Sequence, residues 1–109
     1  MTVYVDHAFA LGDWGRWTGG GHLQADTREE LHAFAARMGL LRQWFQAQTG
    51  RPEKDHYDLT RQGRELALAL GAVAEDRRAG AHRRRAIRET RWREQASPGD
   101  VRGSVTGSG

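Results

Sequence analysis

The segment Thr2-Val3-Tyr4-Val5-Asp6 alternates apolar and polar positions and is rich in β-forming residues. It predicts a strand with Val3 and Val5 on one face and Thr2, Tyr4 and Asp6 on the other. A second alternating run, His22-Leu23-Gln24-Ala25-Asp26, sets Leu23 and Ala25 against His22, Gln24 and Asp26. The loop between them carries Gly12, Gly15, Gly19, Gly20 and Gly21 together with Trp14 and Trp17. From Thr27 the period becomes helical. Leu31, Phe34, Ala35 and Met38 share one face, Thr27 and Glu30 stand at capping-box spacing, and Gly39 marks the stop.

Leu40 to Gln46 reads as a short helical turn and then extended chain around Trp44 and Phe45, followed by a polar loop over 47–55. His56-Tyr57-Asp58-Leu59 predicts a brief strand, and Thr60 the cap of a second helix through Leu70, with Leu66, Ala67 and Leu70 inward and Gly71 as its end. Ala72-Val73-Ala74 is a further short strand, and Asp76 caps a long helix into the mid-nineties. This order gives an α/β fold: a small mixed sheet with helices mainly on one face, plus a C-terminal basic helix. The organisation is an α/β domain over 1–76, an arginine-rich helical extension over 77–95 and a Gly/Ser-rich disordered tail over 96–109.

Charge separates these parts. The chain has 109 residues and a net charge of +3. Residues 1–76 hold 8 Lys/Arg against 11 Asp/Glu, whereas 77–109 hold 9 Arg against 3 acids. On the last helix Arg77, Arg84, Arg88 and Arg91 fall within about 60° of one another, a basic stripe that suits nucleic acid or another polyanion. The alternative is a solvated arm that keeps the protein soluble or docks on its own acidic domain. Ile87 and Trp92 lie roughly 140° apart, so there is no single apolar seam. The helix beyond Ala86 is therefore expected not to be integral to the fold.

Other classes drop out. The chain has no cysteine, which removes disulfides and thiolate metal sites. The start lacks a basic leader, and the longest apolar stretch, Leu66 to Ala74, falls well short of the roughly 18 residues that span a bilayer, so a soluble cytoplasmic protein with no membrane partner is expected. The run Gly19-Gly20-Gly21 lacks the lysine of a phosphate loop, and Gly-x-Ser-x-Gly is absent. No motif names a reaction, and the oligomeric state is not encoded in any pattern.

What chemistry there is rests on strand parity. Tyr4 with Asp6, His22 with Asp26, and His56 with Asp58 project together from their strands. If the strands are neighbours, Asp6, His22, His56 and Asp58 converge as candidate catalytic residues. His22, His56 and Asp58 are candidate ligands for a divalent cofactor such as zinc, manganese or iron. Tyr4, Asp26, Trp44, Gln46 and Tyr57 are candidate pocket residues. The same face could equally be the polar side of a half-covered sheet held by ion pairs. His32, on the flank of the first helix, reads as a boundary histidine, while His7 and His82 carry no spacing argument.

The pieces Tyr4-Val5-Asp6, His22-Leu23-x-Ala25-Asp26, Glu30-Leu31-His32-x-Phe34-Ala35, Gly39-Leu40, Trp44-Phe45-Gln46, His56-Tyr57-Asp58 and Gly71-Ala72-Val73 occur in that order. In this the chain resembles the family called domain of unknown function 4031, small proteins of bacteria and tailed phages, over about residues 2–80. The resemblance implies no activity. It implies a site at Asp6, His22, Asp26, His32, Trp44, Gln46, His56, Tyr57 and Asp58. Two features depart from it: His7 where relatives often have an acid, and a longer segment between Gln46 and His56 that ends in Asp55, where proline is common. Two functions follow as expectations: an accessory domain that binds nucleic acid through the basic helix, or a metal-dependent hydrolase or related small enzyme using the His/Asp cluster.

Overall fold

The computed structural model describes residues 2–95; the expectation for 96–109 lies outside the described residues. In chain order the elements are β1 (Val3–Val5), β2 (Gly21–Ala25), α1 (Arg28–Arg37), β3 (Tyr57–Leu59), α2 (Arg61–Ala69), β4 (Val73–Ala74) and α3 (Arg77–Gln95). The four strands form one mixed sheet in the order β3-β2-β1-β4. β1 and β3 both run antiparallel to β2, and β4 lies parallel to β1.

Alternation along the strands divides the sheet into two faces. Val3, Val5, Leu23, Tyr57 and Leu59 are buried on one face, where Leu31, Phe34 and Ala35 of α1 and Ala67 of α2 complete the core. Thr27 starts α1 by accepting a hydrogen bond from the Glu30 amide at 3.1 Å, and Thr60 does the same for α2 from Gly63 at 3.0 Å. Both helices end alike. Gly39 and Gly71 take positive φ, and the next amide turns back, Leu40 to the Ala35 carbonyl and Ala72 to that of Ala67. Each ending returns an apolar residue to the core.

One expected core position is different. Leu66 is 43 % exposed, while Leu68 and Leu70 pack at the core edge beside Ala67. Ala67 is the buried centre of the inner face, and Leu66 stands about 100° round the helix from it. Arg64 reaches toward β1 and donates to the Asp6 carbonyl at 2.9 Å.

α3 crosses the opposite, polar face. Asp76 caps it by accepting from the Ala79 amide at 2.7 Å. Arg83 lies 4.1 Å over the Tyr4 ring, pairs with Glu75 at 2.7 Å and donates to Gln24 at 2.8 Å. Further along, Arg91 reaches the buried Glu53 carboxylate at 2.7 Å, with Arg88 at 3.5 Å from its other oxygen. The helix beyond Ala86 was expected to be peripheral because it lacks an apolar seam. It docks, as the alternative reading of the basic helix had it, through an ionic seam between its arginines and acids of the domain.

Candidate functional site

Strand register builds the site. Val5 pairs with Leu23 and His22 with Asp58, and the Asp6 amide donates to the His22 carbonyl at 3.2 Å, one rung beyond β1. Asp6, His22 and Asp58 therefore form a single row across three strands on the polar face, with His56 two residues behind Asp58 on the same side. The His22 and His56 rings meet edge to face at 4.5 Å. The four expected catalytic candidates do converge. The first glycine of β2 permits it: a Cβ at Gly21 would overlap the Asp6 carbonyl oxygen, so only glycine lets β1 and β2 close here.

Each side chain of the row is held from behind. Asp6 accepts from the amides of His22 and Ala8 at 2.8 and 3.0 Å, and its second oxygen lies 3.1 Å from His22 Nδ1. Burial pushes the Asp6 carboxyl upward, but hydrogen bonds from the ring and backbone of His22 outweigh it and hold it below its usual value. His22 is raised, chiefly by that same bond and against its burial. Asp6 is thus an ionised acceptor committed to orienting His22. His56 Nδ1 lies 3.0 Å from the Lys54 carbonyl, and Gln46 Nε2 donates to Asp58 Oδ2 at 2.7 Å.

These contacts fix the tautomers. A carbonyl and an ionised carboxylate can only accept, so both Nδ1 atoms carry hydrogen and both Nε2 atoms face forward. His22 Nε2 is 3.6 Å and His56 Nε2 3.4 Å from the same atom, Asp58 Oδ1. The three potential ligand atoms lie within 4.8 Å of one another. With bonds of about 2.0–2.1 Å, two ligands on a tetrahedral ion stand roughly 3.3–3.4 Å apart. The two separations from Asp58 Oδ1 are close to that edge.

His22, His56 and Asp6 open onto a cleft of about 790 Å³ that Ala8, Ala10, Leu11, Lys54, Arg77 and Arg84 also line. The sequence profile for Protein of unknown function (DUF4031) matches residues 3–87. The chain belongs to this family. The DUF4031 match runs into α3, further than the motifs quoted from the sequence, so the first half of the basic helix is part of what the family shares. No curated protein and no solved structure matches the chain significantly.

Not every expected residue of the DUF4031 chain reaches the cleft. Gln46 does so indirectly, through Asp58. Tyr57 is buried in the core, its hydroxyl 2.8 Å from His32 Nδ1, because it occupies the alternate position between His56 and Asp58. His32 sits with it, edge to face on Phe45 at 4.5 Å. Trp44 is half exposed on a single helical turn and does not line the cleft. Tyr4 lies under Arg83 and donates to the exposed Asp26 at 3.1 Å, and Asp26, one residue past the end of β2, points away from His22 into that bond. Of the basic stripe, Arg77 and Arg84 line the cleft and Arg88 and Arg91 bind Glu53. Sequence reasoning missed Gln24, whose parity with His22 on β2 was legible, and the Lys54 carbonyl, for which no side-chain pattern exists.

Proposed function

We propose that the DUF4031 cleft is a metal-dependent hydrolytic site in which His22, His56 and Asp58 hold one divalent cation. The observation that carries this reading is the convergence of two Nε2 atoms on one carboxylate oxygen, each residue braced by a separate partner: Asp6, the Lys54 carbonyl and Gln46. A cation between Nε2 and the carboxylate oxygen, a proton or a metal ion, makes this approach favourable, and imidazole ligands whose other nitrogen donates to an acceptor are the usual arrangement around zinc. Three protein ligands beside an open cleft leave a position for water, as in catalytic rather than structural sites. Bound water there ionises near neutral pH. In the hydrolysis, the water oxygen bonds to the electrophilic centre, the bond to the leaving group breaks, and that group departs with the proton. No redox partner is needed.

The basic-helix reading has less support, because Arg84, Arg88 and Arg91 are turned toward the domain. The decisive measurement is metal content and calorimetric titration of untagged protein with zinc and manganese. One equivalent per chain is expected, lost in His22→Ala and in His56→Ala while both remain folded. A folded wild-type chain that takes up neither metal overturns the reading.

A further inference from the structure

The cleft around the His/Asp row is lined by two kinds of residue. The loop after β1 presents Ala8, Ala10 and Leu11, the last of them 87 % exposed. Lys54, Arg77 and Arg84 bring three cationic residues to the same space. The acids nearby are already engaged. Glu75 is bound to Arg83 at 2.7 Å, Asp76 caps α3, and Asp6 is bound to His22.

The three cations are in a different position. Among the described residues neither Lys54 nor Arg77 makes a side-chain hydrogen bond or ion pair, and Arg84 makes a single hydrogen bond, from NH1 to Gln24 Oε1 at 2.9 Å. That bond anchors one prong of the guanidinium. It leaves Nε and NH2, the pair that forms a bidentate fork, without a partner. Arg84 is also close enough to His22 to oppose its protonation. Gly80 allows the approach: a Cβ there would stand 3.0 Å from Arg84 NH1 and 3.1 Å from Glu75 Oε1.

An excess of unpaired positive charge beside a three-ligand metal site selects an anionic substrate, and a planar fork beside a cation suits a phosphoryl group. We infer that the cleft binds an organic phosphate ester, its phosphoryl group between the His22–His56–Asp58 centre and Arg84, with Lys54 and Arg77 as further counter-charges and the organic part against Leu11. This rests on the metal reading above and assigns its substrate class. For a monoester the reaction balances as follows: the water oxygen bonds to phosphorus, the ester P–O bond breaks, the alcohol leaves with a proton, and inorganic phosphate remains. The amphipathic walls favour esters of apolar or aromatic alcohols over small polar ones.

The test uses the full chain loaded with zinc or manganese, with inorganic phosphate as binding probe and p-nitrophenyl phosphate and p-nitrophenyl acetate as substrates. Phosphate should bind to the loaded protein and inhibit cleavage of the phosphate ester. Arg84→Gln should weaken phosphate binding about tenfold to a hundredfold, the range for losing a charged hydrogen bond, with metal stoichiometry unchanged. Arg84→Lys should recover only part of it, because an ammonium cannot supply the fork. A chain that loads metal but neither binds phosphate nor prefers the phosphate ester overturns the substrate class and leaves the metal centre standing. A chain that loads no metal removes both.

Discussion

The two faces of the sheet are held by different physics. On the face toward α1 and α2, Val3, Val5, Leu23, Tyr57 and Leu59 are buried by packing, which is non-directional and tolerates small shifts. On the face toward α3, Asp6, His22, Gln24, Asp58 and four arginines are joined by directional contacts between long side chains and carboxylates. Apolar packing sets whether the chain folds. The polar face spends its order on the placement of donors and acceptors, and it leaves charges unpaired along the cleft.

That contrast can be broken by paired substitutions on adjacent residues of β2. Leu23→Ala should cost about 2–5 kcal/mol, as for other fully buried leucines, and move the thermal midpoint strongly. His22→Ala should cost about 1 kcal/mol, the net worth of the bond to Asp6, because its ring is partly solvated. Equal losses in the two melting curves would mean that the polar face is as structural as the core.

The ionic seam of α3 should show an intermediate effect and a pH signature. Arg91→Ala leaves the buried Glu53 carboxylate only the longer contact to Arg88, at a cost of about 1–3 kcal/mol. Burial raises the Glu53 carboxyl, but hydrogen bonds and charge from Arg91 and Arg88 outweigh it and hold it below its ordinary 4.5. Its contribution is therefore complete above pH 4.5 and is lost as pH falls through the lower folded value. Denaturation curves across that acid range should be flatter for Glu53→Gln than for the wild-type chain. Parallel curves would mean that the seam adds nothing to stability.

The smallest effect is expected from the Gln46 side chain, which donates to the back of Asp58 while the Gln46 backbone pairs with His56. Gln46→Ala should leave the melting temperature nearly unchanged and weaken zinc binding about tenfold, the lower end for an outer partner of a metal ligand. An unchanged zinc isotherm would show that Asp58 is oriented without it.

Legibility followed the same division. Every strand and α-helix could be read from alternation, caps and glycine stops, and so could the shared face of His22 and Asp58, whereas the short 3-10 turns Gly15–Trp17 and Pro52–Lys54 were read as loop. Leu66 was misjudged because the buried face of α2 centres on Ala67, about 100° round the helix, which spacing alone does not decide. Tyr57 was grouped with the pocket on motif position, although strand parity sends it opposite to Asp58 and into the core. Docking of α3 on the acidic domain was open as an alternative, and pattern left it undecided for another reason. Amphipathic patterns report apolar seams, and this seam is made of Arg83, Arg88 and Arg91 against Glu75 and Glu53. The Lys54 carbonyl, which sets the His56 tautomer, belongs to the backbone and leaves no trace in residue type.

The position of β1 has a consequence for the order of assembly. It is an interior strand, yet its parallel neighbour β4 is made some seventy residues later, since Tyr4 pairs with Val73. During synthesis the row from Asp6 to Asp58 can be completed while one edge of β1 still has bare amides and carbonyls, and before α3 exists to cover the polar face. A nascent chain at that stage offers its histidines to solvent more freely than the finished one. β4 and α3 then act as a late closure, the one pairing with the open edge of β1 and the other crossing the polar face.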